Sequence, residues 1–524
     1  MRNIILIVFL LLKIGDGAKI LIYSPNYCSS HTMLNGKYAD FLAKNGHDVT
    51  MFIPEYDITN KMNGTKLAKV IRLSGVGEPF GNLNDVMFSS TEQIPDMADI
   101  WSRQKFEDAA LAACRNIILK KDELEVLKDY KFDLAYTEML DLCGIGIVHY
   151  LGIKNHIWIS TTPLHDVVSY NLGAPAPPSY VPSVEENYTG PQMSLWERLI
   201  NLKLYLTQLT LHIVNTERLT SIFRKHVAPD FPNLRALASK SALAFVNSDE
   251  MLDIPRPILS KIIYIGGLGI PKTNLLDDHW NTIFNKGKKG VVLFCMGTVA
   301  SFSNFEQNVK IEFLNALNNH KDFHFVIKID GSDESSQLLT SKYDHVTVAT
   351  WLPQVDMLAH PKLKLFVGHG GINGLIEAAT HGIPMLVLPS FADQQRNAKL
   401  VEWRGLGASI LRSKINYQSI NDALTTILYD ESYKKRATRI SKLMREKPFT
   451  AEERFLKWTN FVIENDGLEE LNVIGADLNL IVYFNIDIII LTFTLLLVFL
   501  WVTLKSYTFI YKKLAISKTK PKLE

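Results

Sequence analysis

Backbone groups that could bind an anion lie between two short apolar runs in the last third of the chain. The runs cover 363–367 and 385–388, and a glycine-rich turn with the sequence GHGGING, Gly368–Gly374, follows the first of them. A segment of helical length separates this turn from the second run, which is the pattern of a β-α-β unit in a buried parallel sheet. The first N–H groups of a helix are unpaired, and the helix dipole adds to their attraction for an anion. We therefore expect the turn to bind a phosphate group.

Side chains near this turn could contact the other parts of a sugar nucleotide. Trp351 precedes the first run and offers a flat face for a base. Glu377 lies one turn into the expected helix, where its carboxylate could accept hydrogen bonds from a ribose diol. Asp393 and Gln394 follow the second run at its carboxyl end. Because open parallel sheets bind ligands at that edge, these residues are expected to share one site.

A histidine near the amino terminus could act as a general base. His31 lies in a loop that leaves the apolar strand predicted over Lys19–Ser24. Imidazole titrates near neutral pH and can take a proton from a hydroxyl group. A second strand is predicted over Phe132–Tyr136, and the carboxylates Glu138 and Asp141 follow it. Either carboxylate could orient the imidazole and stabilise its charged form.

These motifs together resemble the UDP-glycosyltransferases, and in particular their animal, membrane-bound UDP-glucuronosyltransferase branch. The stretch from Trp351 to Ala398 is similar to the nucleotide-sugar signature of the family. Ser30-His31, followed after one helix by GHDVT from Gly46, is similar to its amino-terminal pattern. The resemblance implies an α/β fold with the GT-B architecture, in which two Rossmann-like domains face each other across a cleft. It implies a small lipophilic acceptor in the first domain and a UDP-sugar in the second.

The resemblance also implies an inverting transfer of glucuronic acid or another hexose from the UDP-sugar to an acceptor hydroxyl. His31 would be the base, and Glu138 would orient it. The family usually has Asp at the position of Glu138, so Asp141 remains an alternative orienting group. No DxD triplet occurs in the chain, and neither a metal nor a cofactor is expected, since the UDP-sugar is a co-substrate. The residues implied for donor binding are Thr298, Trp351, Gln354, His369, Gly370, Gly371, Asn373, Glu377, Asp393 and Gln394.

The ends of the chain predict a membrane protein. Residues 1–17 contain Arg2 and an apolar run that is too short to span a bilayer, which is typical of a cleaved signal peptide. The uncharged run Ile488–Leu504 predicts a transmembrane helix, and the lysine-rich tail after it favours the cytosolic side. With 524 residues, the chain is long enough for two globular domains. The expected order is a signal peptide at 1–17, an acceptor domain at 18–271, a linker at 272–289, a UDP-sugar domain at 290–478, a transmembrane helix at 480–504 and a cytosolic tail at 505–524.

This order predicts a single-pass type I protein of the endoplasmic reticulum membrane with lumenal catalytic domains. Lys520 and Lys522 resemble a dilysine retrieval signal. In the lumen, the sequons at Asn63 and Asn187 would be glycosylation acceptors on surface loops. The four cysteines form no CxxC pair, which leaves open one or two disulfides or buried free thiols. Arg256, near the domain crossing, is a weaker candidate for the charged groups of the donor.

Other functional classes fit the sequence less well. A nicotinamide-dependent oxidoreductase would need a GxGxxG turn after an early strand, and the chain has none there. Because the family usually has Asp at the position of Glu138, a catalytically inactive, membrane-tethered protein that binds nucleotide sugars remains an alternative. A net charge of +2 spread along the chain indicates no nucleic-acid partner. The choice between UDP-glucuronate and UDP-glucose and the choice between a monomer and a homo-oligomer both stay open.

Overall fold

The computed structural model describes residues 17–80, 100–139, 141–297 and 301–518. The signal peptide expected at 1–17 lies, apart from Gly17, outside the described residues, as do Thr298, Lys520 and Lys522. The chain divides into two compact units, one that ends at Asn472 and one that begins at Val473.

A parallel sheet of seven strands fills the first half of the larger unit within the described ranges. Its strand order is β3-β2-β1-β4-β5-β6-β7. The central strands are apolar and buried on both faces, as expected where helices cover both sides of a sheet. The strands are β1 Lys19–Tyr23, β2 Asp48–Pro54, β3 Lys69–Leu73, β4 Leu134–Glu138, β5 Asn155–Ser160, β6 Leu243–Val246 and β7 Ile262–Tyr264.

A second parallel sheet of six described strands follows in the same unit. Its strand order is β10-β9-β8-β11-β12-β13. The two sheets together confirm the expected α/β fold class with two doubly wound sheets. The strands are β8 Gly290–Cys295, β9 Phe323–Lys328, β10 Val346–Ala349, β11 Leu363–Gly368, β12 Met385–Val387 and β13 Gly407–Ser409.

Helices connect most of the successive strands. In the described part of the first half they are α1 Ser29–Lys44, α2 Ile100–Leu119, α3 Lys121–Lys128, α4 Cys143–Tyr150, α5 Asp166–Leu172, α6 Leu195–His226 and α7 Leu234–Ser239. In the second half they are α8 Asp278–Phe284, α9 Gln307–Leu317, α10 Glu334–Thr340, α11 Gln354–Ala359, α12 Ile372–Thr380, α13 Gln394–Arg404, α14 Tyr417–Tyr429, α15 Glu431–Arg445 and α16 Ala451–Glu464.

Helix α16 packs on the first sheet, although it was expected within the UDP-sugar domain at 290–478. Phe455 is buried and contacts the rings of Tyr38, Tyr136 and Phe245. The hydroxyl of Tyr136 lies 2.5 Å from that of Thr459. The polypeptide therefore returns to the first sheet after it has completed the second.

The smaller unit carries a long apolar helix. It contains α17 Leu480–Tyr483 and α18 Ile486–Lys518, which are separated by a turn at Phe484–Asn485. Over the described residues, Ile486–Ala515 is the one helix long and apolar enough to cross a membrane. The apolar segment expected at 480–504 is thus interrupted near its start, and the helix continues beyond its expected end.

The cysteines and sequons occupy distinct environments. Cys114 of α2 and Cys143 of α4 form a disulfide, whereas Cys28 and Cys295 are free. Asn63 is exposed. Asn187, expected on a surface loop, is instead buried, and its amide donates to Asn201 over 2.7 Å.

Candidate active site

A cleft of about 560 Å³ is lined by residues from both sheets of the larger unit. The first sheet contributes loop residues that follow β1 and β5, and the second contributes residues at the carboxyl ends of β8, β9, β11 and β12. Ligands of parallel sheets bind at this edge. The cleft therefore brings the amino-terminal histidine and the glycine turn, far apart in sequence, to one site.

His31 lies in the first turn of α1 and faces the cleft. Its Nδ1 atom is 2.7 Å from the hydroxyl oxygen of Thr161, the residue directly after β5. Burial lowers the pKa of His31 to about 4, because it disfavours the charged imidazolium. The imidazole is therefore neutral at physiological pH, as a general base must be.

Glu138 is the last residue of β4, and it is only 1% exposed. Its Oε1 accepts from the Thr161 hydroxyl over 3.1 Å, and its Oε2 accepts from the Asn35 amide over 3.1 Å. The distance from His31 Nδ1 to Glu138 Oε1 is 3.8 Å, too long for a hydrogen bond. Burial raises the pKa of Glu138 to about 7. The two groups lie close together, and burial lowers the pKa of the imidazole and raises that of the carboxyl because it disfavours both charged forms.

Asp141, the alternative orienting group, is held by other partners. Its carboxylate accepts from the hydroxyls of Tyr27 and Tyr56. It also accepts from the backbone N–H of Cys143, at the start of α4, over 2.9 Å. The structure therefore brings Glu138, and not Asp141, into the group around His31.

The glycine turn packs tightly around His369. Gly370 has a φ of +88°, which favours glycine, and α12 begins two residues later. The imidazole of His369 lies between Gly297 and Gly371, where an added Cβ would approach it to 2.7 Å and 2.5 Å. Burial, together with the charge of Lys328, lowers the pKa of His369 to about 4. A neutral imidazole and the first N–H groups of α12 thus line one wall of the cleft.

Asn373 is in the first turn of α12 and also lines the cleft. Its Oδ1 accepts a hydrogen bond of 2.8 Å from Asn247, which follows strand β6 of the first sheet. Because that oxygen is occupied, the NH₂ group of Asn373 is the part left to donate to a ligand.

The residues expected at the base and ribose all line the cleft. Trp351 is 73% exposed at the cleft. Gln354, at the start of α11, donates to the Glu377 carboxylate over 2.7 Å. Burial raises the pKa of Glu377. Their assignment to uracil and ribose stays a prediction.

Asp393 and Gln394 lie at the start of α13, after β12. The Asp393 carboxylate accepts from the amide of Asn397 over 2.7 Å, and the same amide donates to the carbonyl of Gly370. Burial raises the pKa of Asp393 to about 6. The side-chain oxygen of Gln394 accepts from the backbone N–H of Ser390 over 2.9 Å. Both side chains are therefore fixed before any ligand binds.

The structure adds cleft residues that the sequence did not single out. Lys328 ends β9, and its ammonium group donates to the carbonyl of Gly297 over 3.0 Å and lies 5.9 Å from the Trp351 ring. Its position at the end of a strand was the sequence signal that could have indicated a cleft residue. Thr161 lines the cleft, and Asn247 donates a hydrogen bond to its carbonyl. Both residues also follow strand ends, but nothing in the sequence distinguishes them from ordinary loop residues.

Arg256, in contrast, is not at the cleft. Its guanidinium group donates to the carbonyl of Leu164 and to the hydroxyl of Ser169, each over 2.9 Å. These contacts give no support to its expected approach to the donor's charged groups. In the described part of the chain, no group of three or more His, Cys, Asp or Glu side chains is arranged to hold a metal ion.

Comparisons with known proteins match almost the whole chain. The family model described as "UDP-glucoronosyl and UDP-glucosyl transferase" matches residues 18–521. A putative UDP-glucuronosyltransferase of Caenorhabditis elegans, ugt-50, is 37% identical over 91% of each chain. The mouse UDP-glucuronosyltransferase 3A2 is 29% identical over 98% of each chain.

Solved structures share the fold at lower identity. The glycotransferase of kitacinnamycin is 18% identical, with a TM-score of 0.58 over 86% of this chain and 99% of its own. Os79 from O. sativa, solved in complex with UDP, is 16% identical, with a TM-score of 0.56 over 84% of this chain and 99% of its own. These similarities support the GT-B architecture.

Proposed function

The chain belongs to the UDP-glucuronosyl and UDP-glucosyl transferase family, and from this premise we propose an inverting transfer of a hexose to the hydroxyl of a small lipophilic acceptor. Transfer from a UDP-sugar is the activity of the family. The observation that carries the finer proposal is the position of His31, which faces the same cleft as the glycine turn and Asn373.

The proposed reaction begins at the acceptor hydroxyl. Nε2 of neutral His31 takes the hydroxyl proton while the oxygen attacks the anomeric carbon of the sugar. The bond from that carbon to the β-phosphate oxygen breaks on the opposite face, so UDP leaves and the anomeric configuration inverts.

Charge that develops on the leaving diphosphate would be stabilised by the second sheet. The first N–H groups of α12, the amide of Asn373, the imidazole of His369 and the ammonium group of Lys328 all border this wall of the cleft. Fixed donors of this kind are worth several kcal/mol when they face charge that develops in the transition state. The proposal includes no metal ion, and we expect transfer to continue in the presence of EDTA.

We propose glucuronic acid as the first donor sugar to test and glucose as the second. The names of the relatives support glucuronic acid. Lys37 and Lys328 line the cleft and are candidate partners for the carboxylate of this sugar. Asp393 would accept hydrogen bonds from the hydroxyls that both sugars share, and the amide of Gln394 would donate hydrogen bonds to them.

The proposed location is the membrane of the endoplasmic reticulum, with both sheets in the lumen. The exposed apolar helix Ile486–Ala515 supports a membrane span. The disulfide between Cys114 and Cys143 supports an oxidising compartment.

The test is turnover by membranes that contain the full-length protein, with a panel of phenolic acceptors and with UDP-glucuronate and UDP-glucose supplied separately. Both donors carry an α-linked sugar, so inversion gives a β-linked product, which NMR identifies. The variant His31→Ala is expected to lower kcat by about 10²- to 10⁴-fold, the usual contribution of a general base. His279→Ala, at an exposed position in α8, is the matched control and should keep full activity.

Three results would count against the proposal. An α-linked product would rule out inversion. Full activity of His31→Ala would remove this residue as the base. A protein that binds UDP but transfers neither sugar to any acceptor of the panel would favour the inactive nucleotide-sugar-binding alternative.

A further inference from the structure

The catalytic histidine has no direct hydrogen bond to its carboxylate, and a threonine hydroxyl lies between them. Thr161 Oγ1 is 2.7 Å from His31 Nδ1 and 3.1 Å from Glu138 Oε1, whereas Nδ1 and Oε1 are 3.8 Å apart. From this geometry we propose that Thr161 is a positioning residue, which fixes the tautomer of His31 and links it to Glu138. The inference rests on the proposed role of His31 as the base.

The hydrogen-bonding capacity of a hydroxyl sets the direction of both bonds. A hydroxyl has one proton to donate and can accept in addition. The carboxylate of Glu138 can only accept when it is ionised, so the Thr161 proton is directed to Oε1. The hydroxyl oxygen must then accept from Nδ1–H of His31. This tautomer leaves the lone pair of Nε2 available for the acceptor proton.

The surrounding contacts hold Thr161 in place. It is 3% exposed, and its carbonyl oxygen accepts from the amide of Asn247 over 2.9 Å. Glu138 is fixed in turn by Asn35 and by the backbone N–H of Met139. Because Asn247, Asn35 and Met139 are buried protein groups, the positions of Thr161 and Glu138 do not depend on a ligand.

The three residues come from neighbouring elements of the first sheet. Glu138 pairs in register with Ile159 on the adjacent strand β5, and Thr161 follows two residues later. His31 lies in the first turn of α1, the helix that follows β1, and β1 is the other neighbour of β4. The sheet therefore brings base, hydroxyl and carboxylate together at one edge.

The linkage matters most after proton transfer. The acceptor proton stays on Nε2, so the imidazole becomes a cation with Nδ1–H still bonded to Thr161. The hydroxyl is then polarised between this cation and the Glu138 carboxylate, and charge-assisted hydrogen bonds are the stronger ones. This stabilisation does not require a proton to move from His31 through Thr161 to Glu138.

The decisive variants are Thr161→Val, which keeps the shape and removes the hydroxyl, and Thr161→Ser, which keeps the hydroxyl. We expect Thr161→Val to lower kcat by about 10- to 100-fold, the effect of one hydrogen bond to a charged group. The KM for the UDP-sugar should stay within about 2-fold, since Thr161 follows a strand of the first sheet and the proposed donor ligands belong to the second half of the unit. Thr161→Ser should recover most of the activity. Thr282→Val, at an exposed position in α8, is the matched control.

A double-mutant cycle separates positioning from a general structural role. Glu138→Gln should lower kcat in the wild-type background and have little further effect in Thr161→Val, because the hydroxyl connects the two groups. Additive losses, or Thr161→Val with wild-type kcat, would overturn the inference. The result for His31→Ala decides the proposed function separately. Loss of activity in His31→Ala together with an active Thr161→Val would leave the function intact and refute only the role of Thr161.

Discussion

The side-chain amide of Asn247 donates to the side-chain oxygen of Asn373 over 2.8 Å and so links the part of the chain that forms the first sheet to the part that forms the second. Asn247 follows β6 of the first sheet, and Asn373 lies in the first turn of α12. The same Asn247 amide donates to the carbonyl of Thr161 over 2.9 Å. One buried side chain thus contacts both the neighbour of the proposed base and a proposed ligand of the leaving diphosphate.

Asn247→Asp is expected to weaken donor binding by turning Asn373. An aspartate at 247 would present an oxygen to Oδ1 of Asn373, so the Asn373 amide would rotate and direct its NH₂ group away from the ligand. Loss of one hydrogen bond of this kind corresponds to a rise in KM for the UDP-sugar of about 10-fold. Steady-state kinetics measure this KM. Asn308→Asp, at an exposed position in α9, is the control. An unchanged KM would mean that Asn373 does not donate to the UDP-sugar.

The packing of His369 between two glycines gives a second prediction. Gly371 has a φ of −60°, which alanine adopts without strain, but its Cβ would lie 2.5 Å from Nε2 of His369. Gly371→Ala should therefore displace the imidazole and raise the KM for the UDP-sugar by roughly 10-fold or more. Gly190→Ala adds the same methyl group where no atom lies within 4 Å, and its KM should equal that of the wild type. Equal KM values for the two variants would show that His369 does not contact the donor.

Local patterns were sufficient for the strands at the centre of each sheet. Lys19–Ser24 was predicted and Lys19–Tyr23 is observed, because a strand buried on both faces is a continuous apolar run. The edge strand β3 has a mixed, half-exposed sequence and was not predicted. Pairing with β2 specifies this strand, and the residues of β2 lie elsewhere in the chain.

Contacts between distant segments account for what the sequence could not predict. The amphipathic pattern of α16 indicates a helix but not which sheet it covers, and Phe455 decides this by packing on residues more than 200 positions earlier. Similarly, Glu138 was assigned from its motif, but the hydroxyl between it and His31 comes from the next strand. Only the pairing of β4 with β5 brings Thr161 there.

Burial of Glu138 predicts a pH-dependent effect on stability. Its pKa rises on folding from 4.5 to about 7, so its contribution to stability is full below about pH 4.5 and is lost as the pH rises through about 7. Glu138→Gln removes this titration. The difference in melting temperature, Glu138→Gln minus wild type, should therefore be more positive at pH 8 than at pH 5. A difference that does not change with pH would show that the carboxyl titrates normally.

The two sequons should differ in occupancy if the sheets fold in the lumen. Asn63 is exposed, whereas Asn187 is buried and bonded to Asn201. Asn63→Gln should abolish the mobility shift that an endoglycosidase produces on a gel, and Asn187→Gln should leave it unchanged. A shift that is lost only in Asn187→Gln would contradict the buried position of that residue. A wild-type protein without any shift would argue against lumenal glycosylation of Asn63.

Lys328 provides a test of donor choice. It is a cation at the end of β9, it contacts the carbonyl of Gly297, and it lies beside the Trp351 ring. If its ammonium group pairs with the carboxylate of glucuronic acid, Lys328→Met should raise the KM for UDP-glucuronate by about 10- to 100-fold and change the KM for UDP-glucose much less. If the group pairs with the diphosphate, both KM values should rise together, because both donors share the diphosphate. Lys286→Met, at an exposed position after α8, is the control and should change neither value. A variant with both KM values unchanged would remove Lys328 from the donor site.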